Sequence, residues 1–326
     1  MTFWRSIGAS CLSAILGFAA TTGAQTPPAG EGDITVTYER ALTRGQLNNA
    51  GDLIAPDSTD AHALMAEVQF GITNRFAVSA SLPHMTVRFA GGPHPHLVNI
   101  HGQPSSLDNG QYHGTTQDFH FGGQWSGVQS RRLIVTPFAE AIIPSHDYES
   151  LGQSVVGRNL RALTVGSGVG GFADVLPGLY FQTNLSHTVV QKVLGIRPNR
   201  SRVDSEVGYF VTPHIAFRFL ETFQFIHDGV DFVGSTPAIV LHRTGATSVD
   251  IRLNHDRLLR TNVLNLGGGV SLAVTDSVDI LATAVKTAWG ENVQRNRAVT
   301  IGANWHFRTR GTGVPRPSRH PLPRFF

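Results

Sequence analysis

The chain has one cysteine, two lysines and no long apolar run after its first twenty residues, and each shortage excludes something. Cys11 lies inside an N-terminal apolar stretch that reads as a cleaved leader, so the mature chain is expected to have no disulfide and no thiol chemistry. Beyond that stretch no run of about 18 apolar residues occurs, which excludes a transmembrane helix. Charge is scarce as well. Asp, Glu, Lys and Arg together make up 15% of the residues, against roughly 25% in a water-soluble domain. The formal net charge of +3 is too small to argue for nucleic acid. Low charge without apolar runs, mean hydropathy near zero and 35 glycines suit strands with one lipid-facing side and one polar side.

The two ends differ from the body. Arg5 precedes an apolar run from Ile7 to Ala20, and Thr22-Gly23-Ala24 supplies the small residues of a cleavage site. Residues 1–24 therefore read as a secretory signal peptide, with Gln25 as the mature N-terminus. Pro27, Pro28 and Gly30 follow at once and argue against a buried N-terminal helix. At the other end, Arg308, Arg310, Arg316, Arg319 and Arg324 are interleaved with four prolines. Residues 309–326 are expected to be a basic, Pro/Arg-rich periplasmic tail. It is either disordered or a contact to an anionic envelope partner.

The body, 25–308, shows apolar residues at every second position, the period of a strand with two unlike faces. Leu64, Ala66, Val68, Phe70 and Ile72 alternate with Met65, Glu67, Gln69 and Gly71. Val299, Ile301, Ala303, Trp305 and Phe307 alternate with Thr300, Gly302, Asn304 and His306. Twelve such segments are expected, at 33–43, 61–73, 75–90, 115–130, 132–145, 158–173, 178–193, 201–212, 214–228, 259–274, 277–288 and 297–308. Short turns alternate in strict order with longer connections at 44–60, 91–114, 146–157, 194–200, 229–258 and 289–296; the stretch 229–258 could hold a further pair of strands. That asymmetry, with an even strand count, predicts an all-β, closed antiparallel transmembrane barrel with short periplasmic turns and long extracellular loops. An open sheet would leave two unpaired edges in lipid. Pro83 and Pro137 are each expected to mark a bulge or bend. A bulge near Pro83-His84 would explain the apolar phase moving from Phe76, Val78 and Leu82 to Met85, Val87 and Phe89. Tyr38, Trp125, Tyr209, Trp289 and Trp305 are candidates for interfacial girdles.

Three stretches resemble a known group: Gly208-Tyr209-Phe210-Val211-Thr212-Pro213, Asn265-Leu266-Gly267-Gly268-Gly269-Val270-Ser271-Leu272 and Ile301-Gly302-Ala303-Asn304-Trp305-His306-Phe307. They are similar to segments of outer-membrane transporters grouped under the meta-pathway of phenol degradation. The resemblance covers mainly residues 160–308 and implies a barrel that moves small hydrophobic molecules, without any catalytic residue. It also implies that Phe307 serves as the aromatic signal read by the barrel-assembly machinery, although nineteen residues follow it.

The lumen face is expected to gather Glu67, Gln69, Asp118, His120, Gln182, Asn184, Arg202, Asp204, Glu206, Arg218, Gln224, Asn304 and His306. They would form either a polar network bracing the lumen or a selectivity lining. His94, His96 and His101 could reach one Zn²⁺ or Cu²⁺, but their Pro/Gly setting supplies no readable orienting partner, and no metal or cofactor is assigned. For hydrolysis, Ser145-His146 and Ser186-His187 are adjacent and would point to opposite faces of a regular strand, and Gly166 to Gly171 opens no helix. Outer-rim pairs such as His227-Asp228 and His255-Asp256 are the remaining candidates for a protease-like site. The sequence thus points to a passive channel or transporter for small, aromatic or hydrophobic solutes in the outer membrane of a Gram-negative bacterium. Its expected partners are membrane lipid, the assembly machinery and the solute. A barrel hydrolase, or a structural or adhesive barrel binding through its outer loops, is the alternative.

Overall fold

A computed structural model of the protein describes residues 26–91, 106–130, 132–231 and 245–309. The expected signal peptide, the His94/His96/His101 cluster and the tail beyond Thr309 lie outside the described residues. The elements are β1 (Glu31–Leu47), β2 (Leu53–Gly71), β3 (Phe76–Ala90), β4 (His113–Thr116), β5 (Asp118–Trp125), β6 (Val128–Gln129), β7 (Ile134–Pro144), β8 (Ala162–Phe172), β9 (Leu179–Val190), β10 (Arg200–Thr212), β11 (Ile215–Ile226), helix α1 (Ser248–Leu258), β12 (Asn262–Ala273), β13 (Val278–Glu291) and β14 (Val293–Arg308). Every strand pairs antiparallel with its neighbours, and β1 pairs with both β2 and β14, so the sheet closes on itself. β4, β5 and β6 run end to end as one stave, so fourteen strands make a closed barrel of twelve staves. Closure leaves no unpaired edge to face lipid.

The two prolines explain why that fourth stave is divided. Pro83 stays in register in β3, from Ala77 opposite Gly71 to Ala90 opposite Ser58, so no bulge occurs there. Pro83 has no N–H to offer the other side. The ladder from β3 passes from β5 to β4 across Gln117, whose N–H donates to Pro83 O at 2.9 Å. Pro137 of β7 likewise lies beside the gap at Ser126-Gly127 between β5 and β6. Each interruption falls in the neighbouring strand rather than in the strand that carries the proline.

Alternation places the large apolar residues outside. Val68, Phe121, Leu185, Phe217, Ile301 and their period-2 neighbours are exposed on the outer wall. Tyr38, Trp125, Tyr209, Trp289 and Trp305 are exposed there too. Trp125, Tyr209 and Trp305 stand near the short-turn rim, and Tyr38 and Trp289 lie further toward the long-connection rim. At the seam Phe307 lies over Gly32, with ring centroids 6.3 Å from Phe70 and 5.7 Å from Trp305.

The phase change in β3 has another cause than a bulge. Met85, Val87 and Phe89 remain on the inner face and are buried because the connection from Ser145 to Arg161 folds into the barrel mouth. Tyr148 and Val156 of that connection pack against Ala41, Ala61, Ala63, Met85, Val87 and Ala298 of the wall. A second apolar cluster above it joins Leu160, Val193, Ile196 and Val230 to Ile251 and Leu258 of α1. Two connections expected to be long are instead the tips of strand pairs. β1 and β2 continue to a turn at 48–52, and β13 turns into β14 at Asn292, whose φ of 49° is the left-handed conformation that Asn tolerates. Among the described residues of 229–258 the chain forms α1 and no further strand pair.

Candidate functional site

The barrel interior is the one enclosed polar environment the fold creates. Each of the thirteen residues expected at the lumen lies on the inward-pointing parity of its strand. Their burial and partners differ. Arg218, on β11, and Glu206, on β10, are 5% and 6% exposed at their side chains and form an ion pair. Arg218 Nε donates to Glu206 Oε1 at 2.8 Å and its Nη2 donates to Oε2, while Tyr180 OH donates to Oε1 at 2.5 Å and Gln182 Nε2 to Oε2 at 3.2 Å. Beside it, Arg202 donates twice to Asp204, each at 2.6 Å, and Thr222 Oγ1 donates to Asp204 at 2.7 Å. Neighbouring inward positions, across adjacent strands for Glu206 and two apart on β10 for Arg202 and Asp204, put donors and carboxylates within reach, and the pairing offsets the desolvation of each charge.

Toward the short-turn rim, His306 lies between two carboxylates. Its Nδ1 is 2.5 Å from Asp33 Oδ1 and its Nε2 is 2.6 Å from Asp279 Oδ2. Asp33 is on β1, His306 on β14 and Asp279 on β13, so the contact bridges the closing seam. His120 Nδ1 lies 3.0 Å from Glu140, and Thr35 Oγ1 donates to Asn304 at 3.0 Å. Asp118 accepts from Tyr148 OH at 2.6 Å, which ties the inward connection to the wall; burial pushes the Tyr148 phenol far above its ordinary pKa. Gln69, Asn184 and Gln224 are inward without such a bond to a described side chain.

Two inward charges, Glu67 on β2 and Arg200 on β10, make neither a hydrogen bond nor an ion pair with a described residue, and they stand on opposite sides of the ring; Asp118 and Glu140 act on Arg200 only from beyond ion-pair distance. Arg200, Arg202 and Arg218 are gathered on β10 and β11. Asp33, Glu39, Glu67 and Asp279 are gathered on β13, β1 and β2. The interior therefore carries a transverse separation of charge with acids in excess. Sequence reasoning missed Asp33, Glu39, Glu140, Tyr180, Arg200 and Asp279, although each follows from the same period-2 count that places its neighbours.

The inward connection is fastened by backbone donors. Asp108 accepts from Gln153 N at 2.7 Å and Ser154 N at 2.8 Å, and Asp256 of α1 accepts from Gly152 N at 2.9 Å. Arg257 donates to the carbonyls of Arg158 and Asn159 at 3.1 and 2.9 Å. Gln153 and Ser154 are 1% exposed, so the connection fills part of the mouth.

One serine on the outer wall lies between two imidazoles. Ser201 Oγ on the outer wall is 3.0 Å from His187 Nδ1 and 2.8 Å from His227 Nε2. A hydrolytic dyad also needs a group that orients the base. Neither imidazole meets a carboxylate or amide among the described residues. Ser145 lies past the end of β7, where strand alternation no longer holds, and its Oγ is 2.8 Å from His146 Nδ1. His255 is 3.1 Å from Asp256. Among the described residues no group of three or more His, Cys, Asp or Glu is disposed to hold a metal ion.

No protein-family model and no curated protein sequence matches the chain. Solved structures do. An outer-membrane channel from Pseudomonas putida F1 superposes with a TM-score of 0.66 at 10% identity, over 88% of this chain and 98% of that one. The translocator domain of the autotransporter NalP from Neisseria meningitidis gives a TM-score of 0.48 at 10% identity, over 91% of this chain and 93% of that one. The first likeness shows the fold, an outer-membrane type of twelve-stave barrel. The resemblance to phenol-pathway transporters rests on its three short stretches.

Proposed function

We propose that this chain, after loss of residues 1–24, resides in the outer membrane of a Gram-negative bacterium as a passive channel for small solutes, narrowed from outside by the segment around Gln153. The observation that carries the reading is the closed barrel with a charged, polar inner wall and two opposed inward charges, Glu67 and Arg200, that make no hydrogen bond or ion pair with a described residue. An interior that only braced the barrel would pair its buried charges, because an unpaired one is costly. The acid excess favours cations, or small zwitterions that present an ammonium to Glu67 and a carboxylate to Arg200. The resemblance noted in the sequence favours aromatic or hydrophobic solutes. The polarity of the inner wall supports hydrophilic ones instead. Phe307, facing outward at the periplasmic end of the last strand, would be the signal for assembly, and the basic tail would remain periplasmic.

Planar-bilayer conductance of the detergent-purified mature chain tests this. Discrete steps with a reversal potential favouring cations are expected, and Glu67→Gln should weaken that preference. Asp108→Ala removes two charge-assisted bonds worth about 1.5–3 kcal/mol each and should enlarge the steps by loosening the inward segment. A folded, heat-modifiable barrel that stays silent with both wild type and Asp108→Ala would overturn the channel reading. Steps blocked by an aromatic solute and insensitive to Glu67→Gln would return the solute to the apolar class.

A further inference from the structure

The outer wall carries a cluster of five cations, only one of which, Arg40, meets a carboxylate among the described residues. On β14 the outward residues run Phe307, Trp305, Ala303, Ile301 and Val299, and then become Arg297 and Arg295. On β13 they run Ile280, Ala282 and Ala284, and then Lys286. On β1 they run Ile34, Val36 and Tyr38, and then Arg40, with Arg44 beyond Leu42. All five cations therefore sit just beyond the apolar belt, toward the rim with the long connections, and all five are exposed. Lys286 is paired directly opposite Arg297 in the antiparallel ladder. Arg297 is in turn opposite Leu42, with Arg40 and Arg44 as its diagonal neighbours on the same face.

Like charges placed directly across a ladder repel, and the sheet gains nothing from them unless an anion lies between. Among the described residues the acids that face outward at this height are Asp60 on β2 and Glu221 on β11, the latter two strands from Lys286 across Leu266 of β12. Asp60 is already committed. Arg40 donates to it from Nε at 3.1 Å and Nη2 at 2.9 Å, Tyr112 OH donates to it at 2.9 Å, and Arg88 stands 3.8 Å away. Lys286, Arg295, Arg297 and Arg44 meet no carboxylate among the described residues.

We propose that Lys286, Arg295, Arg297 and Arg44 bind the phosphates of a phosphorylated glycolipid in the outer leaflet, whose acyl chains lie along the apolar wall below. The location selects the occupant. A soluble anion has no reason to be bound at the upper edge of a lipid-facing belt, whereas a lipid phosphate is held at that height by its own chains. Guanidinium groups match phosphate oxygens two at a time, and neighbouring arginines on two strands can take more than one phosphate. The inference rests on the reading that the chain spans the outer membrane with its long connections outside, but not on whether it conducts.

Native mass spectrometry of the full mature chain in neutral detergent tests it, with diphosphorylated lipid A as probe. The comparisons are the same lipid stripped of phosphate, excess inorganic phosphate as competitor, and Lys286→Gln/Arg295→Gln/Arg297→Gln. Each basic residue near an anionic surface is worth about a fivefold change in binding, so three removed charges should weaken retention by about a hundredfold. Wild type should retain diphosphorylated lipid and lose the stripped lipid, and inorganic phosphate should not displace it. Equal retention of both lipids by wild type would overturn the proposal without any variant. Equal retention by wild type and a variant that still migrates as a folded barrel would also overturn it, as would full displacement by inorganic phosphate. Conductance recorded on the same preparations reads the channel separately, so a silent barrel that binds lipid as expected sinks only the channel.

Discussion

Arg218→Met provides the most direct test of how the interior is held together. Arg218 and Glu206 are nearly inaccessible, and Arg218 contributes two of the four hydrogen bonds that Glu206 accepts. Removing one partner of a buried pair costs about 3–5 kcal/mol, because the other charge is left behind. Two features place this case at the lower end. Tyr180 and Gln182 still donate to Glu206, each bond to a charged acceptor being worth about 1.5–3 kcal/mol. Arg218 Nη1 is itself buried without an acceptor, so part of the cost of burying it disappears with the substitution. About 3 kcal/mol remains, or roughly a hundredfold in the ratio of folded to unfolded barrel. Arg218→Met combined with Glu206→Gln leaves no buried charge at this position and should cost only about 1 kcal/mol. Urea titration of the folded, unheated gel band would give the midpoints for wild type, both single variants and the double variant. The reasoning is refuted if the double variant is no more stable than Arg218→Met, since the pair would then contribute nothing through charge.

Gly208→Ala should cost about 1–3 kcal/mol in the same titration, because its Cβ would lie 2.2 Å from the Tyr180 ring, which must leave Glu206. Gly123→Ala, whose Cβ would meet nothing nearer than Phe76 at 3.4 Å, is the matched control and should be near neutral. For α1, Thr247→Ala should remove the N-cap and lower local protection by about 1 kcal/mol in hydrogen exchange, with the barrel midpoint unchanged. The Thr247 hydroxyl and N–H donate to Asp250 and hold its carboxyl below the ordinary 3.8. A depressed folded value gives stabilisation that is complete above the unfolded pKa and lost as pH falls through the folded one. Protection of 248–258 should therefore drop below about pH 4, and a drop on raising pH would contradict the capping box.

The transmembrane part of the fold was legible because lipid and lumen impose opposite chemistry on alternate residues. Where that contrast ends, the signal ends too, although the ladder does not. β1 continues to Leu47 and β14 begins at Val293, yet their outward residues there are Arg44, Arg295 and Arg297, so both faces read as polar and the strands appear to stop early. In β3 the reverse happens. Met85, Val87 and Phe89 are apolar on the inner face, which imitates a change of phase when the true cause is another segment of chain filling the mouth. Helix α1 was overlooked despite a sequence signal, Thr247 three residues before Asp250, which is a capping box ahead of Ile251 and Leu258. The inward placement of charges was readable from parity. Their partners were not, because Glu206–Arg218 and Asp33–His306–Asp279 depend on cross-strand register, and register is set by turns and pairing rather than by any one strand.

The same barrel thus meets three environments with one backbone pattern, and the distribution of arginine separates them. Inside, Arg202 and Arg218 are matched to carboxylates, since a buried guanidinium without a partner is costly. At the mouth, Arg158 donates to the carbonyl of Leu259 at the end of α1 and Arg257 to carbonyls of the inward-folded chain, where backbone acceptors would otherwise be buried without a donor. On the outer wall, Arg295 and Arg297 have neither. A structural role accounts for the first two sets through contacts within the chain. For Arg295 and Arg297 no described residue supplies the counter-charge, and the acids that act on Arg200, Asp118 and Glu140, are already held by Tyr148 and His120; we propose a membrane phosphate at the one site and a passing solute at the other.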